Sequence, residues 1–421
     1  MHRSSSRHQI ERIGLSIGIL LAVIIIVAVI NSVLQSDQGP MEPTPAPTLE
    51  PTIGPTAPAT PATPAIVFDS EPKPEQGSLL HMLGYAPDRL QDDSLPLSDI
   101  ARYANIKTWM NARGVTIPAD ANDPAWVEWE NQLSILALPE IIANRGTDDA
   151  WISTYGFGLH QVNQVLAVGS APDYVMVIRG DFNEDKLLAT WAESGYQAVR
   201  VDGFTYWSLN PGGSVDLSAP ASRPALGNMN NLVLLEDGTL IATSRSDRLE
   251  QTLAVIDGAN DSLADNESVR SILRPGIEPD RLATAVLLKG TVLEEHTSAP
   301  SAISIATPVP ELPRATLLLT GLHVPIEGES RATLVIVVVY DSAPDAIAAE
   351  SRARRILAGE TSNVTGQPYS ERLHSIAMRV VSSSDSQQLL LIHLVLQHDT
   401  ADWLNIIEER DLGFLMWPRV P

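Results

Sequence analysis

The 421-residue sequence contains no cysteine, and aromatic residues make up only 5% of it. Without cysteine no disulfide can staple the fold, and the lipid anchor of a lipoprotein is excluded. Basic residues are also scarce: 28 Lys and Arg stand against 51 Asp and Glu, for a net charge of −23. Because nucleic acids are bound through clustered cations, this balance argues against a nucleic-acid partner.

The linear motifs of common enzyme and metal sites are absent as well. The histidines form neither H-x-H nor H-E-x-x-H, and there is no G-x-S-x-G nucleophile elbow and no Walker motif. The pair Gly156 and Gly158 lacks the third glycine of a dinucleotide-binding loop. We therefore assign no catalytic, cofactor-binding or metal-ligating residue from the sequence, and no cofactor.

Two weaker patterns have ordinary structural interpretations. Arg179-Gly180-Asp181 matches the tripeptide that integrins recognise, but it lies where a predicted strand meets a predicted helix, so a turn is the favoured interpretation. His374 and His393 fall on two predicted paired strands and would face each other there. Hydrogen-bonded core histidines are favoured over a metal pair at these positions.

Acidic residues and sequons between residues 257 and 268 carry little functional information. Four acidic residues cluster there but lack the ligand spacing of an EF-hand, so a weak calcium site is the less favoured hypothesis: Asp257, Asp261, Asp265 and Glu267. Asn260 and Asn266, like Asn363, begin N-glycosylation sequons, which occur often by chance.

The long hydrophobic run Ile13–Leu34 contains no charged residue. At about 1.5 Å per residue a helix over this run would be about 33 Å long, enough to cross a hydrocarbon core of about 30 Å. The alternative is a cleaved signal peptide, whose apolar region usually has about 7–15 residues. This run is longer, and Asn31-Ser32-Val33 is a poor cleavage site, so we predict an uncleaved transmembrane helix at 13–34.

Flanking charge predicts the orientation of this helix. Arg3, Arg7 and Arg12 precede the run, whereas all the charged residues between the run and Lys73 are acidic. The positive-inside rule places the basic tail, residues 1–12, in the cytoplasm and everything after the helix outside. The predicted location is therefore the cell membrane, with one span and an extracytoplasmic C-terminal part.

Residues 35–77 are rich in proline and threonine. Such a segment forms neither helix nor sheet and is extended, partly as polyproline II, at about 3.1 Å per residue. We predict a disordered linker that acts as a stalk of roughly 75 Å.

The remaining residues alternate short strands with amphipathic helices, which predicts an α+β fold of mainly antiparallel sheets with helices packed on one face. Tyr174–Ile178 is a predicted strand, and Asn183 caps the helix that follows it. Asp202-Gly203 has the chemistry of a type I′ hairpin turn, and a second hairpin is predicted around Asp237-Gly238. An apolar stripe over Leu97–Arg113 predicts a further helix.

The C-terminal half has a similar order of predicted strands and helices. After strands Ala283–Leu288 and Ala315–Leu322, a strand at Thr333–Tyr340 leads into a helix capped by Ser342 and then into a strand pair. Thr333–Tyr340 carries apolar side chains on both faces of the predicted strand, so other parts of the protein should cover both faces. The shared order predicts two duplicated β-α-β-β-α units, in subdomains 78–275 and 276–421.

One stretch resembles a family. The run from Gly180 through Phe182, Asp185 and Leu187, followed by Gly195-Tyr196 and the Asp202-Gly203 turn, is similar to a strand-to-helix step found in bacterial extracytoplasmic proteins of the Chloroflexi type. The resemblance covers about Leu79 to Leu412. It implies an anchored, exported bacterial protein and brings no activity with it.

These features favour a non-enzymatic extracytoplasmic domain on a stalk that binds a ligand or a cell-envelope partner. The alternative is an extracytoplasmic hydrolase, because a pair of catalytic carboxylates distant in sequence has no linear signature.

Deleting residues 13–34 should move the chain from the membrane fraction to the soluble fraction, because the deletion removes the predicted span. Ultracentrifugation and immunoblotting measure the distribution. Deleting residues 41–62, a piece of the same length within the linker, should leave the chain in the membrane. Retention of the first variant in carbonate-washed membranes would contradict the prediction.

Overall fold

The computed structural model describes residues 77–88, 101–120, 122–169, 174–210, 219–273, 281–289, 315–325, 331–362, 366–383 and 387–397. The predicted tail, transmembrane helix and linker lie outside these ranges except for Gly77, and so does the last helix of the second predicted β-α-β-β-α unit. Among the described residues, no helix is both long enough and apolar enough to cross a membrane.

Twelve strands form one antiparallel sheet. In chain order they are β1 (Ala101–Asn105), β2 (Val162–Val168), β3 (Val175–Gly180), β4 (Gln197–Val201), β5 (Phe204–Ser208), β6 (Asn231–Leu234), β7 (Thr239–Thr243), β8 (Leu282–Lys289), β9 (Ala315–His323), β10 (Thr333–Tyr340), β11 (Leu373–Ser382) and β12 (Gln388–Leu396).

Ten α-helices accompany these strands in the described ranges. They are α1 (Leu79–Leu83), α2 (Ile106–Arg113), α3 (Trp126–Leu133), α4 (Glu140–Arg145), α5 (Asp149–Tyr155), α6 (Glu184–Glu193), α7 (Ser246–Ile256), α8 (Glu267–Ile272), α9 (Ala343–Gly359) and α10 (Tyr369–Arg372). The predicted α+β class with a mainly antiparallel sheet is thus confirmed.

The strand order across the sheet is β11-β12-β10-β9-β8-β1-β2-β3-β7-β6-β5-β4. Outward from the central β1–β8 pair it is β1-β2-β3-β7-β6 on one side and β8-β9-β10-β12-β11 on the other. The hairpin β4–β5 extends the first side. The sheet therefore runs without a break from strands of residues 78–275 into strands of residues 276–421, and the division into two subdomains stays a prediction.

Helices pack on both faces of the sheet. Met176 of β3 and Trp191 of α6 belong to one core cluster, whereas the next strand residue, Val177, shares a second cluster with Leu249 of α7. We call these the first face and the second face. The prediction of helices on one face is wrong, because strands that are apolar on both sides, such as β10, must be covered twice.

The predicted helix at Leu97–Arg113 is also wrong in part. Residues 101–105 form β1 at the centre of the sheet, and only Ile106–Arg113 is helical. Tyr103 contributes to the second-face core and Ala104 to the first, which is the alternation of a strand. Pairing with β2 and β8 on its two sides outweighs the local helix propensity of this alanine-containing segment.

Several local predictions are confirmed. Asn183 caps α6 by accepting a hydrogen bond from the Lys186 amide at 2.9 Å. Ser342 caps α9 in the same way, through the Asp345 amide at 3.3 Å. Asp202 and Gly203 both have positive φ, 47° and 88°, as a type I′ turn requires.

Gly321 of β9 is a close-packed position in the sheet. A Cβ atom there would lie 2.7 Å from Leu282 Cδ2 and 2.9 Å from the Thr284 carbonyl oxygen. Gly321→Ala should therefore lower the free energy of unfolding by about 1–3 kcal/mol, the usual cost of overpacking.

Chemical denaturation of the full chain measures this effect. Gly359→Ala, at the end of α9, is the matched control, because a Cβ there meets nothing within 4 Å. This control should be neutral or stabilising by up to about 1 kcal/mol. Equal effects of the two substitutions would contradict the packing.

Candidate functional site

A polar cleft lies at one edge of the sheet, where β1 and β3 end and β2 and β7 begin. Its volume is about 390 Å³. The lining residues are Gly77, Asn105, Lys107, Thr108, Asn163, Gln164, Arg179, Gly180, Asp181, Asp237 and Gly238. Apart from the glycines, all of them are polar or charged, which distinguishes the cleft from the apolar cores beneath it.

The register of the sheet sets the floor of the cleft. Asn105 of β1 pairs with Gln164 of β2, Gln164 with Arg179 of β3, and Arg179 with Thr239 of β7. Strand neighbours of these residues alternate between the two cores, which places all four on the second face. Four strands therefore present one transverse row of polar residues at the end of the second-face core.

The turn after β3 forms one wall. Asp181 donates its backbone N–H to the Gln161 carbonyl oxygen at 2.9 Å. A Cβ on Gly180 would collide with that carbonyl group and lie 2.6 Å from the Phe182 ring, so this close approach requires glycine. Arg179 and Gly180 are the last residues of β3 and Asp181 follows them, and all three residues line the cleft.

Asp237 forms the opposite wall and is heavily hydrogen-bonded. Its carboxylate accepts from the Tyr85 hydroxyl at 2.8 Å and from the Thr239 amide and hydroxyl at 3.0 Å each. Burial acts to raise the pKa of Asp237, but the hydrogen bonds from Tyr85 and Thr239 and the charge of Arg179 outweigh it. The pKa therefore lies below its ordinary value of 3.8.

Tyr85 and His81 support this carboxylate from behind. The Tyr85 hydroxyl lies 3.4 Å from His81 Nε2; His81 belongs to α1, Tyr85 follows that helix, and both are half-buried. Burial, together with the charge of Arg179, lowers the pKa of His81 against the opposing effect of Asp237. Burial and the hydrogen bond to Asp237 raise the pKa of Tyr85. At neutral pH the cluster thus holds an ionised Asp237 beside a neutral histidine and a neutral phenol.

Three charged side chains of the cleft remain available to a ligand. Arg179, Lys107 and Asp181 make no side-chain hydrogen bond and no ion pair within the described ranges. Arg179 is half-buried, whereas Lys107 and Asp181 are exposed. Arg179 acts on Asp237 and His81 only through its charge.

The weaker sequence patterns do not form sites here. His374 falls in a bulge of β11, and the partner of His393 across the sheet is Ala377, so the two histidines are not paired. The ring of His393 instead contacts that of His323, with ring centres 6.2 Å apart.

The acidic cluster is built into turns. Asp265 accepts hydrogen bonds from the Ser262 amide and hydroxyl at 2.9 and 2.6 Å, and Asn266 caps α8. The sequon at Asn363 lies outside the described residues. No group of three or more His, Asp or Glu side chains suited to a metal ion occurs in the described part of the chain.

Comparisons with protein-family models, curated proteins and solved structures find no match. What the cleft does must therefore be inferred from its own chemistry. It offers two cations, two carboxylates and several amide groups in a space suited to a small ligand, since ligand pockets usually span about 300–1,000 Å³.

The cleft is better suited to binding than to acid–base catalysis. A general acid at neutral pH needs a carboxyl group with a raised pKa, whereas the pKa of Asp237 is lowered. With its three hydrogen bonds, Asp237 is a fixed negative charge that orients its surroundings.

Tyr85→Phe should raise the pKa of Asp237 towards 3.8, because the substitution removes a hydrogen bond to the ionised form. An NMR titration of the Asp237 carboxyl carbon measures this. Since the folded-state pKa is depressed, ionised Asp237 contributes stability that is complete above 3.8 and is lost as the pH falls through the folded-state pKa. In the variant this loss should be smaller and should end at a higher pH, because the folded-state pKa lies closer to 3.8.

Tyr206→Phe is the control for this titration. It removes a hydroxyl that donates to Glu250 at 3.2 Å and not to Asp237, so it should leave the pKa of Asp237 unchanged. An unchanged pKa in Tyr85→Phe would show that the Tyr85 hydrogen bond does not hold the carboxylate.

Proposed function

We propose that this protein is a single-pass, membrane-anchored extracytoplasmic binding protein, and that its α+β head captures a small polar ligand in the cleft at the sheet edge. The observation that carries the proposal is the convergence of Arg179, Lys107 and Asp181, none of which makes a side-chain hydrogen bond or an ion pair within the described ranges. Charged groups left without partners in a concave site are usual in ligand recognition.

The sequence supports the anchoring part of the proposal. The uncharged run Ile13–Leu34, the basic residues before it and the Pro/Thr-rich segment after it are the features of a membrane-anchored head on a stalk. Gly77, at the end of the predicted linker, lines the cleft. The stalk would therefore join the head beside the ligand site.

We also propose that the head arose by duplication of a five-stranded unit. The two sides of the sheet, β1-β2-β3-β7-β6 and β8-β9-β10-β12-β11, have the same strand order outward from their common centre. In each, a helix follows the third strand, α6 after β3 and α9 after β10, and both helices pack on the first face. The hairpin β4–β5 would then be an insertion in the first unit.

A hydrolase is the second candidate, because Asp181 and Asp237 both line the cleft although they are distant in sequence. Against it, the pKa of Asp237 is lowered, whereas a general acid at neutral pH needs a raised pKa. Turnover of glycoside, ester or peptide substrates that Asp181→Asn abolishes would replace the binding proposal with this one.

The absence of cysteine allows a direct test, since one introduced cysteine can be labelled at a single site. Glu236 is exposed and adjoins Asp237 at the rim of the cleft. An environment-sensitive fluorophore on Glu236→Cys in the full chain should give a saturable response to at least one compound in a collection of polar metabolite-sized molecules.

The same fluorophore on Val127→Cys is the control. Val127 is 67% exposed and belongs to α3, which packs on the first face, away from the cleft. This label should not respond. Identical responses at both positions, or no saturable response at Glu236 across the collection, would contradict ligand binding in the cleft.

A further inference from the structure

We infer that the ligand of the cleft is a small zwitterion, a molecule of the α-amino-acid class whose carboxylate binds Arg179 and whose ammonium group binds Asp181. This inference rests on the proposed function and deepens it by naming the ligand class. It follows from which charged groups of the cleft already have partners and which do not.

Asp237 is spent. Its carboxylate accepts three hydrogen bonds from Tyr85 and Thr239, which occupy most of its acceptor capacity and hold it in place. It therefore serves as part of the wall. A ligand cation would have to displace the Tyr85 hydroxyl to reach it.

Arg179 is the cation at the centre of the row, and it makes no side-chain hydrogen bond or ion pair within the described ranges. Its backbone is fixed by pairing with Gln164 on one side and Thr239 on the other, so its position is set by the sheet and not by a loop. The guanidinium group offers planar paired N–H donors that match a carboxylate in two parallel hydrogen bonds. Partial burial strengthens such a pair relative to an exposed one.

The first turn of α2 reinforces this anion site. Asn105, Lys107 and Thr108 line the cleft, so the first turn of the eight-residue helix α2, which Asn105 caps by accepting from the Thr108 amide at 3.0 Å, lies beside it together with the Lys107 ammonium group. The three features attract a negative group to the same place, in a chain whose net charge is −23.

Asp181 supplies the second point of recognition. It is two residues from Arg179, its backbone is fixed by the hydrogen bond to Gln161, and its exposed carboxylate has no partner among the described residues. A simple anion such as phosphate would be repelled by this charge, whereas the ammonium group of an amino acid would be attracted to it. A carboxylate and an amine on neighbouring atoms fit a pair of opposite charges presented by one strand end.

The size of the cleft agrees with this class. At about 30 Å³ per water molecule in the liquid, the volume of about 390 Å³ corresponds to about thirteen waters, which is room for an amino acid with its side chain or for a short peptide. The amides of Asn163 and Gln164 add hydrogen-bonding groups around this space.

Isothermal titration calorimetry on the full-length chain in detergent tests the inference. The probes are the common α-amino acids in both configurations, the deaminated and decarboxylated analogue of each, and inorganic phosphate. At least one amino acid should bind, and both of its analogues should bind at least about tenfold more weakly, because each loses one charged contact.

Two variants separate the contacts. Arg179→Gln should weaken amino-acid binding at least about tenfold, because the carboxylate loses its partner. Asp181→Asn should abolish the preference for the amino acid over its deaminated analogue while still binding that analogue, which shows that the variant is folded. The controls Arg200→Gln and Asp257→Asn change exposed charges outside the cleft and should bind as the wild type does.

Each other outcome contradicts the inference. Phosphate or a deaminated analogue binding as tightly as any amino acid, no amino acid binding at all, or wild-type affinity in Arg179→Gln would each exclude a zwitterion held in this way. The proposal that the cleft binds a ligand still holds after any of these results if the fluorophore on Glu236→Cys gives a saturable response. If that label also fails to respond, the proposed function fails with the inference.

Discussion

The antiparallel pairing of β1 with β8 is the interaction on which the rest of the structure depends. It joins the two sides of the sheet through the register Ala101–Leu287 to Ala104–Thr284. The Thr284 hydroxyl strengthens the junction, donating to the Tyr103 carbonyl oxygen and accepting from the Ala137 amide, both at 2.8 Å. Because β1 runs directly into α2, this pairing also brings the first turn of α2 to the cleft.

The electrostatics of the cleft follow from the same framework. A sheet edge with strand ends in fixed register can hold Arg179 beside Gln164 and Thr239 without any contribution from a mobile loop. The hairpin turn at Asp237 then closes one wall, and hydrogen bonds from Tyr85 and Thr239 satisfy its charge internally. The consequence is a site with a fixed, hydrogen-bonded wall, in which Arg179, Lys107 and Asp181 make no side-chain hydrogen bond within the described ranges.

Local sequence chemistry predicts many elements of this fold but not their order in the sheet. The caps at Asn183 and Ser342 and the turn at Asp202-Gly203 are readable because each depends on a few adjacent residues. The sequence pattern predicts a helix over β1, since the strand character of β1 comes from partners distant in sequence. The face assignment failed for a similar reason: which helix covers which face depends on connections between strands.

The cleft could be predicted only in its parts. Arg179 and Asp181 were recognisable at the end of a predicted strand, and Asp237 at a predicted hairpin turn. Their meeting depends on β3 lying beside β7 and on β2, a strand that the sequence patterns did not reveal. Asn163 and Gln164 of β2 gave no signal of their own, because isolated amides beside an apolar run are common in any strand.

The most direct measurement of the central claim is mass spectrometry of the small molecules that the full chain retains when it is purified from its native cells and then denatured. The account predicts that the wild-type chain releases a compound carrying both an amine and a carboxylate, and that the Arg179→Gln chain releases little or none of it. Release of the same compound in equal amounts by both chains, or retention only of molecules that lack one of these groups, would contradict it.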